Sequence, residues 1–184
     1  MKGIAFTELR ELVARDHGAA VAERIIAASL LEPAAARAPA GACDRDELAR
    51  LVRALAELSG EDAPGILREL GRALFERLAA CYAGFVHDLD LPLDVLEHLE
   101  SRIHFEVGEL HPDAALPIFE STRHAPDRLT LVYRSPHPLP DFAEGFMLGC
   151  ADHFGVQFHI ARTVVREEEG GAIRFELTCE STTE

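Results

Sequence analysis

An α+β fold is predicted, with an N-terminal helical part packed on a C-terminal helix and an antiparallel sheet of about four strands. Two observations carry this. Apolar residues recur every three or four positions as far as Leu110, and beyond Pro112 they alternate every second position. A third bounds it: 184 residues, 48% of them hydrophobic, suffice for one domain with a substantial core. The expected domain spans 1–184, with a helical part over about 1–88 and the α+β part over about 89–184.

The elements follow in order. Ile4, Leu9, Leu12 and Val13 share a helical face, and Val21, Ile25 and Ile26 mark a second helix running into Leu30 and Leu31. The Pro/Ala-rich stretch 32–43 interrupts the period and is expected to be a loop. Asp44 with Glu47 has the logic of a capping box and opens a helix bearing Leu48, Leu51, Val52, Leu55 and Leu58, which Gly60 stops. Asp62 and Pro64 suit the next helix start, with Ile66, Leu67, Leu70, Leu74 and Leu78 on its apolar face. One further helix is expected from Pro92 through Leu96, Leu99, Ile103 and Val107 to Leu110, with His104 on the flank of its stripe. Leu129, Leu131 and Tyr133 then alternate as a half-buried strand. Leu139 to Phe154 reads as a helix ended by Gly155. Val156, Phe158 and Ile160 alternate, as do Ile173, Phe175, Leu177 and Cys179, and the turn at Glu167–Gly171 joins these two strands in a hairpin.

Composition narrows the function. Eighteen basic against thirty-two acidic side chains give a net charge of −14, which repels phosphate backbones and anionic headgroups and favours a basic protein surface as partner. No apolar run approaches the roughly 20 residues that span a bilayer, and no signal-peptide core precedes the first acid, so a soluble, cytoplasmic protein without nucleic-acid or membrane partners is expected. Cys43, Cys81, Cys150 and Cys179 are widely spaced, with no Cys-x-x-Cys pair, and four reduced thiols are expected. Neither Cys81 nor Cys150 has a Lys or Arg within two residues, so both are expected to be inert and buried rather than redox-active; Cys179, on the apolar side of its strand, is expected to be buried too.

Three segments carry a resemblance. His104 lies in Ser-Arg-Ile-His-Phe-Glu-Val (101–107), Pro117 follows thirteen positions later, and Tyr133-Arg-Ser135-Pro-His137 comes next. In order and spacing they resemble the haem-nitric-oxide-binding (H-NOX) family, and the resemblance runs through the chain. By itself His104 is one of nine histidines, and a lone helix histidine is more often a surface or hydrogen-bonded core residue. The resemblance implies that His104 is the axial ligand of a haem b iron, that Pro117 packs on and distorts the macrocycle, and that Tyr133 and Ser135 hold the propionates. On a strand, i and i+2 share a face, so two hydroxyls can converge on one carboxylate. The family's third donor is an arginine at i+4; here that position is His137, shorter and mostly neutral at pH 7. Arg134 has the charge but alternates to the other face. Taken alone, Pro117 also suits the start of an edge strand.

Family members that hold oxygen stably carry a distal tyrosine where this chain aligns Phe142. A phenyl ring donates no hydrogen bond, so the implied preference is for nitric oxide and carbon monoxide over oxygen. The implied distal wall is Ala5 or Phe6, Leu74, Leu78 and Phe146, residues that equally suit plain core packing. The resemblance implies a gas switch rather than an enzyme, signalling to a separate chain such as a histidine kinase or a cyclic-di-GMP enzyme, since 184 residues leave no room for an output domain. One alternative is a haem-independent interaction module of the same fold with a degraded propionate clamp. Another is a metal site from Cys150, His153, His159 and Cys179; the hairpin, however, lacks the Cys/His ligands of the family's zinc-binding subset. Ser135, His137 and Asp141 have no Gly-x-Ser-x-Gly elbow around the serine to support a catalytic triad.

Overall fold

A computed structural model describes residues 11, 13–15, 18–19, 22–23, 43–81, 83–87, 89–106, 117–135, 138–167 and 170–180; the side chains of 43–49, 51, 83, 103–106, 166–167 and 170 lie outside that description. Its described helices are α1 (Cys43–Ser59), α2 (Ala63–Cys81), α3 (Pro92–Glu97), α4 (Leu99–Glu106) and α5 (Pro140–Phe154), with a 3₁₀ turn at Ala83–Phe85. Strands β1 (Ile118–Ala125), β2 (Arg128–Arg134), β3 (Gln157–Glu167) and β4 (Gly170–Glu180) form one antiparallel sheet in the order β1-β2-β4-β3. This is the α+β architecture that the sequence predicts.

Local chemistry sets the boundaries. Gly60 ends α1 with φ 77°, a left-handed conformation that costs glycine little. The Asp62 carboxylate accepts the Gly65 N–H at 3.2 Å and so caps α2. Gly155 closes α5 at φ 66°, where its N–H and that of Val156 return to the carbonyls of Asp152 and Ala151, the pair of bonds of a Schellman motif. The capping residues proposed for α1, Asp44 and Glu47, have side chains outside the described residues, as do the loop at 32–42 and most of the two N-terminal helices.

Two departures have physical causes. The helix predicted from Pro92 to Leu110 is broken at His98, whose φ of −97° and ψ of 12° separate α3 from α4. The His98 imidazole Nδ1 lies 2.8 Å from the Asp94 carbonyl oxygen that the His98 N–H also addresses at 3.2 Å, so side chain and backbone compete for one acceptor. Residues 107–110 lie outside the described set. The other departure is β1, which the sequence signals only through Pro117: of Ile118–Ala125, Phe119 alone is buried, as suits an edge strand with little apolar alternation.

Two apolar clusters share α2. Ile66 and Leu70 join Val13, Ala22, Val52 and Leu55, whereas Leu74, Phe75 and Leu78 join the inner face of the sheet. That face is Phe119, Leu129, Leu131, Tyr133, Ile173, Phe175 and Leu177, the alternating residues of β1, β2 and β4. Helix α5 roofs it and crosses α2 at Gly71, Gly145 and Gly149. A Cβ at Gly71 would overlap the Phe142 carbonyl oxygen, and one at Gly149 would lie 2.9 Å from the Arg72 oxygen and the Phe75 Cβ. The missing side chains thus set how closely the two backbones approach.

The cysteines divide. Cys150 is fully buried, its thiol donating to the Pro92 carbonyl at 3.5 Å, and burial first, then neighbouring Cys179, pushes its pKa up. Cys81, expected to be buried, is exposed, because α2 runs past Leu78 and presents position 81 to solvent. Cys179 is half-buried rather than buried, since it sits near the end of β4 beside the β1–β2 turn, where its N–H donates to the Asp127 carbonyl at 2.8 Å. In the native protein a maleimide is therefore expected to label Cys81 within minutes and leave Cys150 untouched until the chain unfolds, which peptide mapping after quenching would read. Among the described residues, no helix is long and apolar enough to cross a membrane.

Candidate haem site

Among the described residues, the inner face of the sheet and the α3–α4 run meet along β1. β1 presents Phe119, Ser121 and Arg123 on its inner face, and each meets the α3–α4 run. Arg123 pairs with Asp94 at 3.0 Å and with Glu97 at 3.4 Å. The Ser121 hydroxyl donates to the Glu97 carbonyl at 3.0 Å, and the Phe119 N–H donates to the Glu100 carboxylate at 3.1 Å. As the helix number rises from 94 to 100, the strand number falls from 123 to 119, so the helical run is antiparallel to β1. Positions 100 and 104 lie on one face of α4, four residues apart. One turn beyond Glu100 on the helix comes position 104, and two residues before Phe119 on the chain comes Pro117. His104 is on α4, with its side chain outside the described residues; Pro117 is half-buried immediately before β1.

Across the sheet from Phe119 stands Tyr133, 5% exposed, its ring 5.2 Å from that of Phe119 and 6.4 Å from that of Phe175. Its hydroxyl oxygen accepts the Leu139 N–H at 3.1 Å, and among the described residues no acceptor meets its own proton. A buried hydroxyl with a proton to give suits a carboxylate. Ser135 follows, half-buried, just past the end of β2. His137 lies outside the described residues. Arg134 does not take its place: β2 pairs in register through Tyr133↔Ile173 and Arg134↔Ala172 with no bulge, and the guanidinium pairs with Glu120 at 2.7 Å on the outer face. Strand alternation predicts that separation.

Leu74, Leu78 and Phe146 are buried together in the larger cluster. Phe142 is half-buried and packs against both clusters, at the α2–α5 crossing. Ala5 and Phe6 lie outside the described residues. Asp141, beside Phe142, accepts from Arg68 of α2 at 3.1 Å and from Arg162 of β3 at 2.9 Å, so it joins three elements at the start of α5.

The profile of the haem-NO-binding family matches residues 2–162. The chain belongs to that family. Among solved structures, it is similar to the Fe(II) unliganded H-NOX protein from K. algicida, at 27% identity over 100% of this chain and 99% of that one, with a TM-score of 0.82. The H-NOX protein from S. oneidensis in the Fe(II)NO ligation state has 23% identity over 98% and 100% and a TM-score of 0.83. A mutant of T. tengcongensis H-NOX has 17% identity over 98% of each chain and a TM-score of 0.81; at such identities the likeness is one of fold. No curated protein matches. The H-NOX family binds haem and senses gases, and this chain has its fold.

The residue types described above are compatible with a haem: apolar side chains on the sheet and on α2 and α5 suit a porphyrin, and the buried Tyr133 hydroxyl suits a propionate. Sequence reasoning missed several supports of this H-NOX site. Arg123 fastens α3 to β1, and Glu100 fastens the His104 helix to the same strand. Arg102 ties the same helix to the 3₁₀ turn, and Phe75 and Phe85, both fully buried, fill the space between α2, that turn and α5. Arg102 stands two residues before His104 in the quoted motif. Its long reach to backbone carbonyls has no sequence signature.

Proposed function

We propose that this chain is a haem-based gas sensor that takes nitric oxide and carbon monoxide, but not stably oxygen, and signals to a separate protein such as a histidine kinase or a cyclic-di-GMP enzyme. The observation that carries this reading is the antiparallel ladder between the α3–α4 run and β1, which favours His104 and Pro117 at one level beside the buried Tyr133 hydroxyl. Haem b, when bound, supplies ferrous iron as the centre to which a diatomic gas coordinates. His104 is the residue proposed to hold the iron, through a neutral imidazole nitrogen. Pro117 shapes the floor beside it. Tyr133 would donate a hydrogen bond to a propionate, with Ser135 and His137 as the further donors proposed beside it. Leu74, Leu78 and Phe146 keep water out, and Phe142 lacks the O–H that would favour oxygen. These residues bind and discriminate; none is proposed to catalyse a reaction.

The test is an absorption spectrum of the reduced protein expressed with a haem supply. A Soret band that shifts with nitric oxide and with carbon monoxide but not with air is the expected result. A protein that takes up no haem would overturn the reading and leave a haem-independent interaction module. The histidine at 137 makes a further expectation. An imidazole with an ordinary pKa of about 6.5 pairs with a propionate below that pH and loses the charge above it. Transfer of haem to an excess of apomyoglobin should therefore be slower at pH 6 than at pH 8, and His137→Arg should be slow at both. Equal rates for the two proteins throughout would remove His137 from the propionate site.

A further inference from the structure

Helix α4, which carries His104, is held from two sides. On one side Glu100 fastens it to β1 through the Phe119 N–H. On the other, the Arg102 guanidinium donates to the carbonyl of Gly84 and, at 2.9 Å, to that of Phe85. These are carbonyls of the 3₁₀ turn between α2 and α3, and a guanidinium is the side chain suited to hold two such acceptors at once. The turn is itself held by its own aromatic ring. Phe85 is fully buried and meets Phe75 of α2 edge-on at 5.7 Å and Phe146 of α5 at 6.2 Å, while Phe75 and Phe146 are 5.1 Å apart. Helix α2 continues from Phe75 back through Leu70 and Ile66 into the N-terminal cluster.

We propose that Arg102 is a positioning residue that couples the His104 helix to the Phe75–Phe85–Phe146 group, and through α2 to the N-terminal helical part. The proposal rests on the gas-sensing reading only for what moves α4; the coupling itself is a property of the protein without ligand. If α4 shifts along β1, the clamp must carry the turn and its phenylalanine with it. Close-packed rings transmit such a shift because they have no space in which to absorb it. Without the guanidinium, α4 loses its hydrogen bonds to the carbonyls of the turn, and the two are less tightly coupled.

Hydrogen exchange on the full chain tests this, comparing wild type with Arg102→Leu and Arg102→Lys, each with and without haem. Without haem, Arg102→Leu should speed exchange of amides in 84–87 and in 99–106 together by about tenfold, the size expected for losing charge-assisted hydrogen bonds, while β2 and β4 stay unchanged. Arg102→Lys, which keeps the charge and a donor, should recover part of the protection. With ferrous haem, nitric oxide should alter exchange in both α4 and α2 of the wild type, but in α4 alone in Arg102→Leu. Unchanged exchange at 84–87 in the haem-free variant, or an α2 response to nitric oxide equal to that of wild type, would overturn the proposal. Should Arg102→Leu fail to fold, the same two readings on Arg102→Lys decide it. Absence of haem uptake by the wild type would end the gas-sensing reading and leave the haem-free arm as the test of the clamp.

Discussion

Replacing His104 by glycine is expected to strip the protein of its haem, lowering the haem retained after purification by more than about tenfold. Loss of even an outer partner of a metal ligand costs about 10- to 100-fold in affinity, and loss of the ligand itself costs at least as much. Imidazole added during expression should restore the Soret band, since a glycine leaves room for a free ring. The control is His98→Ala. His98 is exposed, and its ring nitrogen is engaged with the Asp94 carbonyl at the α3–α4 break. Its loss should leave the haem content unchanged. A His104→Gly protein with a wild-type spectrum and no need of imidazole would show that another residue is the ligand, and the ladder between α4 and β1 would then align nothing of consequence.

The second large effect is expected at the crossing of α2 and α5. A Cβ at Gly145 would sit 2.6 Å from the Cα and carbonyl carbon of Arg68 and overlap its oxygen. All three are backbone atoms of a helix, so neither a rotamer change nor a flexible tip relieves the clash. Gly145→Ala should raise helix propensity by up to about 1 kcal/mol. Forcing the helices apart costs about 1–3 kcal/mol or more, and the second term is expected to win. A net loss of about 1–2 kcal/mol corresponds to a Tm lower by about 2–8 °C for a chain of this size, readable by circular dichroism. Gly149→Ala, with contacts at 2.9 Å, should lose less. A higher Tm for Gly145→Ala would mean that the helix pair has slack, and that the glycine contributes nothing to their separation.

The extent to which the sequence can be read differs from element to element. Strand β2 is plain because Leu129, Leu131 and Tyr133 are buried on one face and their neighbours are not, and the same alternation sends Arg134 outward to Glu120. Helix α5 is bounded by a proline at its start and a glycine in the left-handed region at its end, both local signals. β1 lacks a signal because it is an edge strand that buries one phenylalanine, and its remaining inner positions are a serine and an arginine occupied with α3. The break at His98 is hidden because it arises from a ring competing with its own backbone, in a stretch whose apolar period continues across it. Cys81 departs from expectation because the end of α2 outruns the core that covers its earlier turns.

The chemical types of the candidate site, namely a histidine, a proline, a tyrosine and a serine at the spacing of one family, are legible in the chain alone, as is the absence of an arginine at position 137. So is the placing of those residues on helix, loop and strand, since the period of apolar residues is a local property of the chain. Their mutual position comes only from packing. The antiparallel run of α3 and α4 along β1 depends on Arg123, Ser121 and Glu100, polar groups more than fifteen residues from their partners. The Arg102 clamp and the buried rings of Phe75 and Phe85 likewise depend on backbone and ring atoms brought together by the fold. Such contacts have no period and no motif, because hydrogen bonds to distant carbonyls and edge-on ring contacts are selected by the space that the rest of the fold leaves.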